Sequence, residues 1–177
     1  MADTPSTGSL ALHDTRRSFL KQVLAAGAVA SAAGKGLSAP VLAQPRGAIR
    51  GFDHVAVPMR NVEAMVAFYR ALGFEVMESE RICSVHFGDN KINFHRPSLW
   101  ESGTFTLRAT AAQPPCGDFC FVWDGTAAAL EATLARVGAE VVEGPAPRQG
   151  GRDGGAATGT SRYIRDPDDN LLEFIIY

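Results

Sequence analysis

The chain has 177 residues, a formal net charge of −2 and 46% hydrophobic residues, a balance that excludes a disordered chain and suits one soluble globular domain with a sizeable core. It carries no basic excess, no Lys/Arg stripe and no nucleic-acid-binding signature, so the partner to expect is a small molecule, with no nucleic acid involved.

The first 43 residues are set apart from the fold. Residues 15–21, TRRSFLK, match the twin-arginine export motif, with Arg16 and Arg17 paired, Phe19 and Leu20 following and Lys21 closing. The Ala/Gly-rich stretch behind them is interrupted by Lys35 and is too poor in large apolar side chains for a stable membrane span. Val41 and Ala43 offer small residues for cleavage before Gln44. Residues 1–43 are therefore expected to be a twin-arginine signal peptide, which engages the export machinery and delivers residues 44–177 to the periplasm or beyond it. Because that route carries folded proteins, a metal can be inserted before export. The three cysteines, Cys83, Cys116 and Cys120, then meet an oxidising compartment, where an odd number leaves at least one without a partner in the chain.

After a short Pro/Arg/Gly lead, residues 52–57 read as a strand and residues 61–74, NVEAMVAFYRALGF, as a helix. Asn61 is its N-cap candidate, Val62, Met65, Val66, Tyr69 and Leu72 recur at helical spacing, and Gly73 closes it. Short strands follow in EVMESE, ICSVHF and KINFH, the last two joined by a turn at GDN. A loop from Arg96 to Pro115 comes next, with TFTLRA extended inside it. The pattern then restarts. DFCFVW is a strand, and TAAALEATLARVG is a helix capped by Thr126 and closed by Gly138. EVVEGP, SRYIRD and NLLEFIIY are three more strands, the last entered through the turn DPDDN, where Asp169 tolerates a left-handed position. Residues 148–160, RQGGRDGGAATGT, lack the Lys-Ser/Thr ending of a phosphate-binding loop and read as a flexible connection beside the cavity. His54 to Asp118 and Gly73 to Gly138 span nearly the same distance, about 65 residues, as an internal repeat requires.

Each half thus reads β-α-β-β-β. A four-stranded sheet with one helix has a covered face and a bare one, so the expected class is α+β: two tandem βαβββ modules, at about 50–97 and 116–177, whose sheets surround a shared cavity. Strand alternation sorts the side chains. His54 shares a face with Phe52 and Ala56, while Val55 and Val57 point toward the helix; Glu173 shares a face with Leu171 and Ile175, opposite Leu172, Phe174 and Ile176. A carboxylate placed there needs a cation, a proton or hydrogen-bond donors. Cys120 lies on the face of Asp118, and Tyr163 and Arg165 stand near the final turn, where they serve packing, a salt bridge or an anionic ligand. His86 is expected to satisfy a local hydrogen bond.

DHVAV, YRALGF, KINFH and YIRDPDDNLLEF resemble the vicinal-oxygen-chelate superfamily, which includes glyoxalase I, extradiol dioxygenases and the bleomycin-resistance proteins, and the resemblance covers residues 50–177. It implies one metal ligand on the first strand and one on the last strand of each half: His54, Asn93, Asp118 and Glu173. Asp118 stands where His is usual and Asn93 where Glu is common. His95, on the face of Asn93, is a substitute ligand. The resemblance further implies a divalent metal (Zn, Ni, Mn, Fe or Co), Glu173 as ligand or catalytic general base, and a metal-dependent lyase, isomerase or dioxygenase acting on a small compound with adjacent oxygens. Its alternative is a non-catalytic protein that sequesters a small molecule. Glutathione-dependent chemistry fits poorly with export. The family also implies a homodimer, with halves paired within one chain or exchanged between two.

Overall fold

The β-α-β-β-β order appears twice in the computed structural model, which describes residues 47–177; the twin-arginine motif, the cleavage position and residues 44–46 lie outside the described residues. The first module comprises β1 (His54–Pro58), α1 (Val62–Leu72), β2 (Glu75–Glu78), β3 (Ile82–Phe87) and β4 (Asn90–His95). A short helix, α2 (Pro97–Trp100), opens the connection. The second comprises β5 (Asp118–Val122), α3 (Ala127–Val137), β6 (Glu143–Gln149), β7 (Thr158–Arg165) and β8 (Leu171–Ile176). The sheets have orders β1-β4-β3-β2 and β5-β8-β7-β6. In each, the first strand runs parallel to the last and the remaining pairs are antiparallel. The α+β class and the tandem modules are as expected. Among the described residues no helix is long and apolar enough to cross a membrane.

The helices follow their sequence signals, with one correction. Thr126 caps α3, its Oγ1 accepting from the Ala129 N–H at 3.2 Å, and Gly73 and Gly138 close the two long helices in the left-handed conformation that glycine adopts without strain. Asn61 stands at the N-cap of α1 but makes no capping bond with its side chain. The carboxylate of Asp168, from the other module, accepts instead from the N–H groups of Arg60 at 2.6 Å and Asn61 at 2.8 Å. A negative group there also suits the helix dipole.

Three further readings shift. TFTLRA forms no strand, and α2 stands just before it. The strand expected over EVVEGP begins at Glu143 and runs to Gln149, leaving Val141 and Val142 exposed. Pro145 and Pro147 are tolerated in β6 because it is an edge strand, paired only with β7. The glycine-rich connection shrinks accordingly, with a single 3₁₀ turn at Arg152–Gly155.

One core serves both modules. Val57, Met65, Val66 and Phe94 from the first join Phe121, Leu134 and Phe174 from the second. Aromatic rings stitch the seam: Phe121 lies 5.0 Å from Phe74 and 5.1 Å from Phe87, centroid to centroid. Because the helix-facing surfaces of both sheets supply this core, their bare faces turn outward from it.

The DPDDN turn fastens the halves. Asp166 accepts from the Asp168 and Asn170 N–H groups, from Asn170 Nδ2 and from the hydroxyl of Tyr69 on α1; Asn170 Oδ1 accepts from the N–H groups of Cys116 and Gly117. Asp169, at φ 72°, makes the left-handed bend its sequence position suggested. Asp168→Ala is expected to destabilise the protein by about 3 kcal/mol, since the N–H groups of Arg60 and Asn61 both lose a charged, buried acceptor. Asp169→Gly, at an exposed position already suited to glycine, should stay within about 1 kcal/mol of the parent. Urea unfolding of both variants checks the contrast.

Candidate functional site

Strand register carries the equivalence of the halves down to single residues. On the bare face of the first sheet, His54 stands opposite Lys91 and Ala56 opposite Asn93; on the second, Asp118 stands opposite Leu171 and Cys120 opposite Glu173. His54 therefore corresponds to Asp118, and Asn93 to Glu173. Each pair lies diagonally across two parallel strands, about 8 Å apart at the backbone. On the third strand, Ser84 faces Asn93 and Tyr163 faces Glu173. The alternation is confirmed by burial: Val57, Ile92 and Phe94 are in the core while His54 and Ala56 are exposed.

Three of these side chains, His54, Asn93 and Glu173, each have one atom already engaged. His54 Nδ1 lies 2.6 Å from Asp53 Oδ1. The hydrogen bond from His54, followed by its charge and that of Lys91, holds the Asp53 carboxyl below its ordinary range. Asn93 Oδ1 accepts from the hydroxyl of Ser84 at 2.7 Å. Glu173 Oε1 accepts from the hydroxyl of Ser161, a fully buried residue, at 2.5 Å. These serines and Asp53 were not singled out in the sequence, although strand alternation places Ser161 on the same face as Tyr163 and Arg165. Cys120 completes the group on the second face. Its thiol is pushed up to about 12, first by desolvation, then by the charge and hydrogen bonding of Glu173 and the charge of Asp118, so it is protonated at neutral pH. All three cysteines are free.

The expected residues are thus divided. His54 and Asn93 occupy one outward face, Asp118 and Glu173 the other, and among the described residues no three His, Cys, Asp or Glu side chains within the chain are placed to hold a metal ion together. His95 stands apart from His54. It pairs in register with Pro58, four residues along β1, about 13 Å away. Its ring is buried edge-on against Phe105 at 5.2 Å, and burial, followed by Arg108, pushes its pKa down, so the imidazole is neutral. Arg165 donates to the Asp169 carbonyl at 2.9 Å, and Tyr163 accepts from Arg148 Nε at 2.9 Å, so both are already partnered within their own sheet.

The second face is partly roofed. Ile175, two residues from Glu173, is buried under the ends of the glycine-rich connection; a Cβ on Gly159 would lie 2.6 Å from Ile175 Cγ1 and 2.7 Å from the Ile176 carbonyl, so glycine is required there. Arg152 stacks over the Tyr177 ring at 4.3 Å and ties the same connection down. A separate apolar groove of about 510 Å³ runs along the seam between the modules, lined by Phe74, Phe87, Phe121, Val122 and Trp123. It reaches Cys120 but none of the four expected ligands.

Comparison with known proteins agrees with this architecture. The sequence profile of the Glyoxalase/Bleomycin resistance protein/Dioxygenase superfamily matches residues 51–174. The chain is 33% identical over 132 residues to glyoxalase domain-containing protein RDO1 of Mycosarcoma maydis, covering 73% of this chain and 69% of that protein. It is 31% identical over 129 residues to virulence protein STM3117 of Salmonella typhimurium, covering 71% and 83%. The crystal structure of STM3117 superposes with a TM-score of 0.64 at 28% identity, covering 74% of this chain and 99% of that one. An integron cassette protein from the mobile metagenome of V. cholerae gives the same TM-score at 27% identity, covering 75% and 98%.

The placement of Cys120 has a measurable consequence. With its thiol near 12, alkylation by iodoacetamide at about pH 8 should be far slower than for an ordinary exposed cysteine. Glu173→Gln removes one charge but not the desolvation, so the rate should rise without reaching that of a free thiol. Mass spectrometry of the Cys120 peptide reads both rates; alkylation of the parent at the free-thiol rate contradicts the contact.

Proposed function

This chain belongs to the glyoxalase/bleomycin resistance protein/dioxygenase superfamily, and from that membership we propose that it is an exported, metal-dependent lyase, isomerase or dioxygenase acting on a small compound with adjacent oxygens. The observation that carries the reading is the matched register: His54 with Asn93 on one bare face, and Asp118 with Glu173 at the corresponding positions of the other. One imidazole, one amide and two carboxylates make a nitrogen/oxygen donor set suited to Zn, Ni, Mn, Fe or Co. When bound, such an ion polarises a carbonyl or chelates two neighbouring oxygens of the substrate.

Because the four residues divide between two outward faces, the site in this reading forms between two copies, the first sheet of one protomer meeting the second sheet of its partner. His54 and Asn93 then come from one chain, Asp118 and Glu173 from the other. Glu173 serves as a ligand, or takes a proton from the substrate as a general base when it is not coordinated. Ser161 fixes the carboxylate in either role. Tyr163, opposite Glu173 in the ladder, lines the same face. Export is supported by the TRRSFLK motif, and in this reading the site works in the periplasm or outside the cell.

The substitution of Asp118 and Asn93 for the family's commoner ligand types favours a second reading, in which the same hollow sequesters a small molecule without metal. Metal analysis of the full chain, folded in its native host, separates the two. The enzyme reading expects about one ion per chain, lost in His54→Ala and in Glu173→Ala. Mixing the two variants under conditions that exchange subunits should restore about a quarter of the parent metal content, because half the dimers are mixed and each of those has one intact site of two. Metal-free protein carrying a tightly held organic ligand supports sequestration. A parent that binds metal without complementation places the site inside one chain.

A further inference from the structure

The residue before His54 provides more than a strand lead. Neighbouring side chains in a β-strand point to opposite faces, so a hydrogen bond between residues 53 and 54 requires a break in the alternation. Asp53 stands just ahead of β1 and supplies that break. Its backbone is nevertheless fastened to β4: the Lys91 N–H donates to the Asp53 carbonyl at 3.2 Å, and Asn90 Nδ2 donates to the Phe52 carbonyl at 2.9 Å. The main chain is pinned while the side chain turns back, which brings Oδ1 to 2.6 Å from His54 Nδ1. Lys91 stands opposite His54 in the ladder.

An ionised carboxylate only accepts hydrogen bonds, so Nδ1 must carry the proton. We infer that Asp53 is a positioning residue that fixes His54 in the Nδ1–H tautomer, leaving the Nε2 lone pair as the one atom the imidazole presents on the bare face. Neutral imidazole in water favours the opposite tautomer, so the protein has to impose this one. The other face also has an oriented candidate residue, where the Ser161 hydroxyl donates to Oε1 of Glu173. The partner of a ligating histidine ordinarily tunes metal affinity by 10- to 100-fold. Asp53 is strongly exposed, which puts its expected effect at the lower end of that range, about tenfold. This last consequence rests on the reading of His54 as a ligand; the tautomer does not.

Long-range 1H–15N correlation spectra of the full chain with labelled histidine, taken at about pH 9 where ordinary imidazoles are neutral, read the tautomer directly. The protein has four histidines, and His54→Gln assigns the relevant signals. The parent is expected to show the Nδ1–H pattern, and Asp53→Ala to move to the Nε2–H form or a mixture. Zn²⁺ titration should show about tenfold weaker binding for Asp53→Ala with an unchanged thermal midpoint. An Nε2–H pattern in the parent, or an Asp53→Ala spectrum that still shows Nδ1–H, overturns the inference. Should the parent take up no Zn²⁺ at all, the metal reading of the site fails while the pair of spectra still decides the role of Asp53.

Discussion

The turn from Asp166 to Asn170 is the constraint on which the rest of the domain depends. It lies between β7 and β8, yet its polar atoms reach three other places. Asp166 meets Tyr69 on the first helix, Asp168 takes the N–H groups of Arg60 and Asn61 ahead of that helix, and Asn170 takes those of Cys116 and Gly117 ahead of β5. One pentapeptide thus sets where α1 begins, where β5 begins and where β8 begins. Glu173 stands three residues beyond the turn on β8, and His54 lies on the strand that leads into Arg60, so both candidate faces take their position from it.

Burying two carboxylates in one turn is costly, and the arrangement shows how the cost is offset. Desolvation raises the Asp166 pKa, while four donors from Asn170, Asp168 and Tyr69 act in the opposite direction. An apolar turn of similar volume avoids the penalty but specifies no partner atoms. Here every acceptor has a named donor, and several of those donors belong to the other module or to the connection between the two. The equivalent turn of the first module, Gly88–Asp89, is a short exposed hairpin with no such reach. The repeat is therefore symmetric in the register of its face residues and asymmetric in the turn that locks it.

That difference also explains what the sequence could disclose. The repeat, the strand faces and both long helices were legible because each depends on periodicity within one segment: Val57 and His54, or Phe174 and Glu173, sort by alternation alone. The start of β6 was not legible. Val141 and Val142 have the composition of a strand, but the pairing with β7 selects Glu143–Gln149 despite two prolines. Asn61 stands at the N-cap of α1 as its position suggests, but the capping acceptor was not legible for a related reason, since Asp168 comes from more than 100 residues away. Alternation likewise placed His54 and Glu173 on bare faces but carried no information about whether those faces meet. That depends on which surfaces form the core, a tertiary choice made by Phe74, Phe87 and Phe121.

The consequence of that choice is a chain whose candidate residues divide between two outward faces. Each outward face has polar groups already oriented by a neighbour, Ser84 on Asn93 and Ser161 on Glu173, which is unusual preparation for a surface destined for bulk water. The same faces expose apolar side chains, Met77 at 58% and Val122 at 51%, and among the described residues β1 and β5 each have an edge with no strand beside it. Exposed apolar area and unpaired edges favour association. A two-fold axis relating two copies necessarily produces two identical contacts, so if the first sheet of one protomer covers the second sheet of its partner, the reverse contact follows without further design. The internal repeat makes the two surfaces alike in register, and they diverge in chemistry, imidazole and amide on one against two carboxylates on the other.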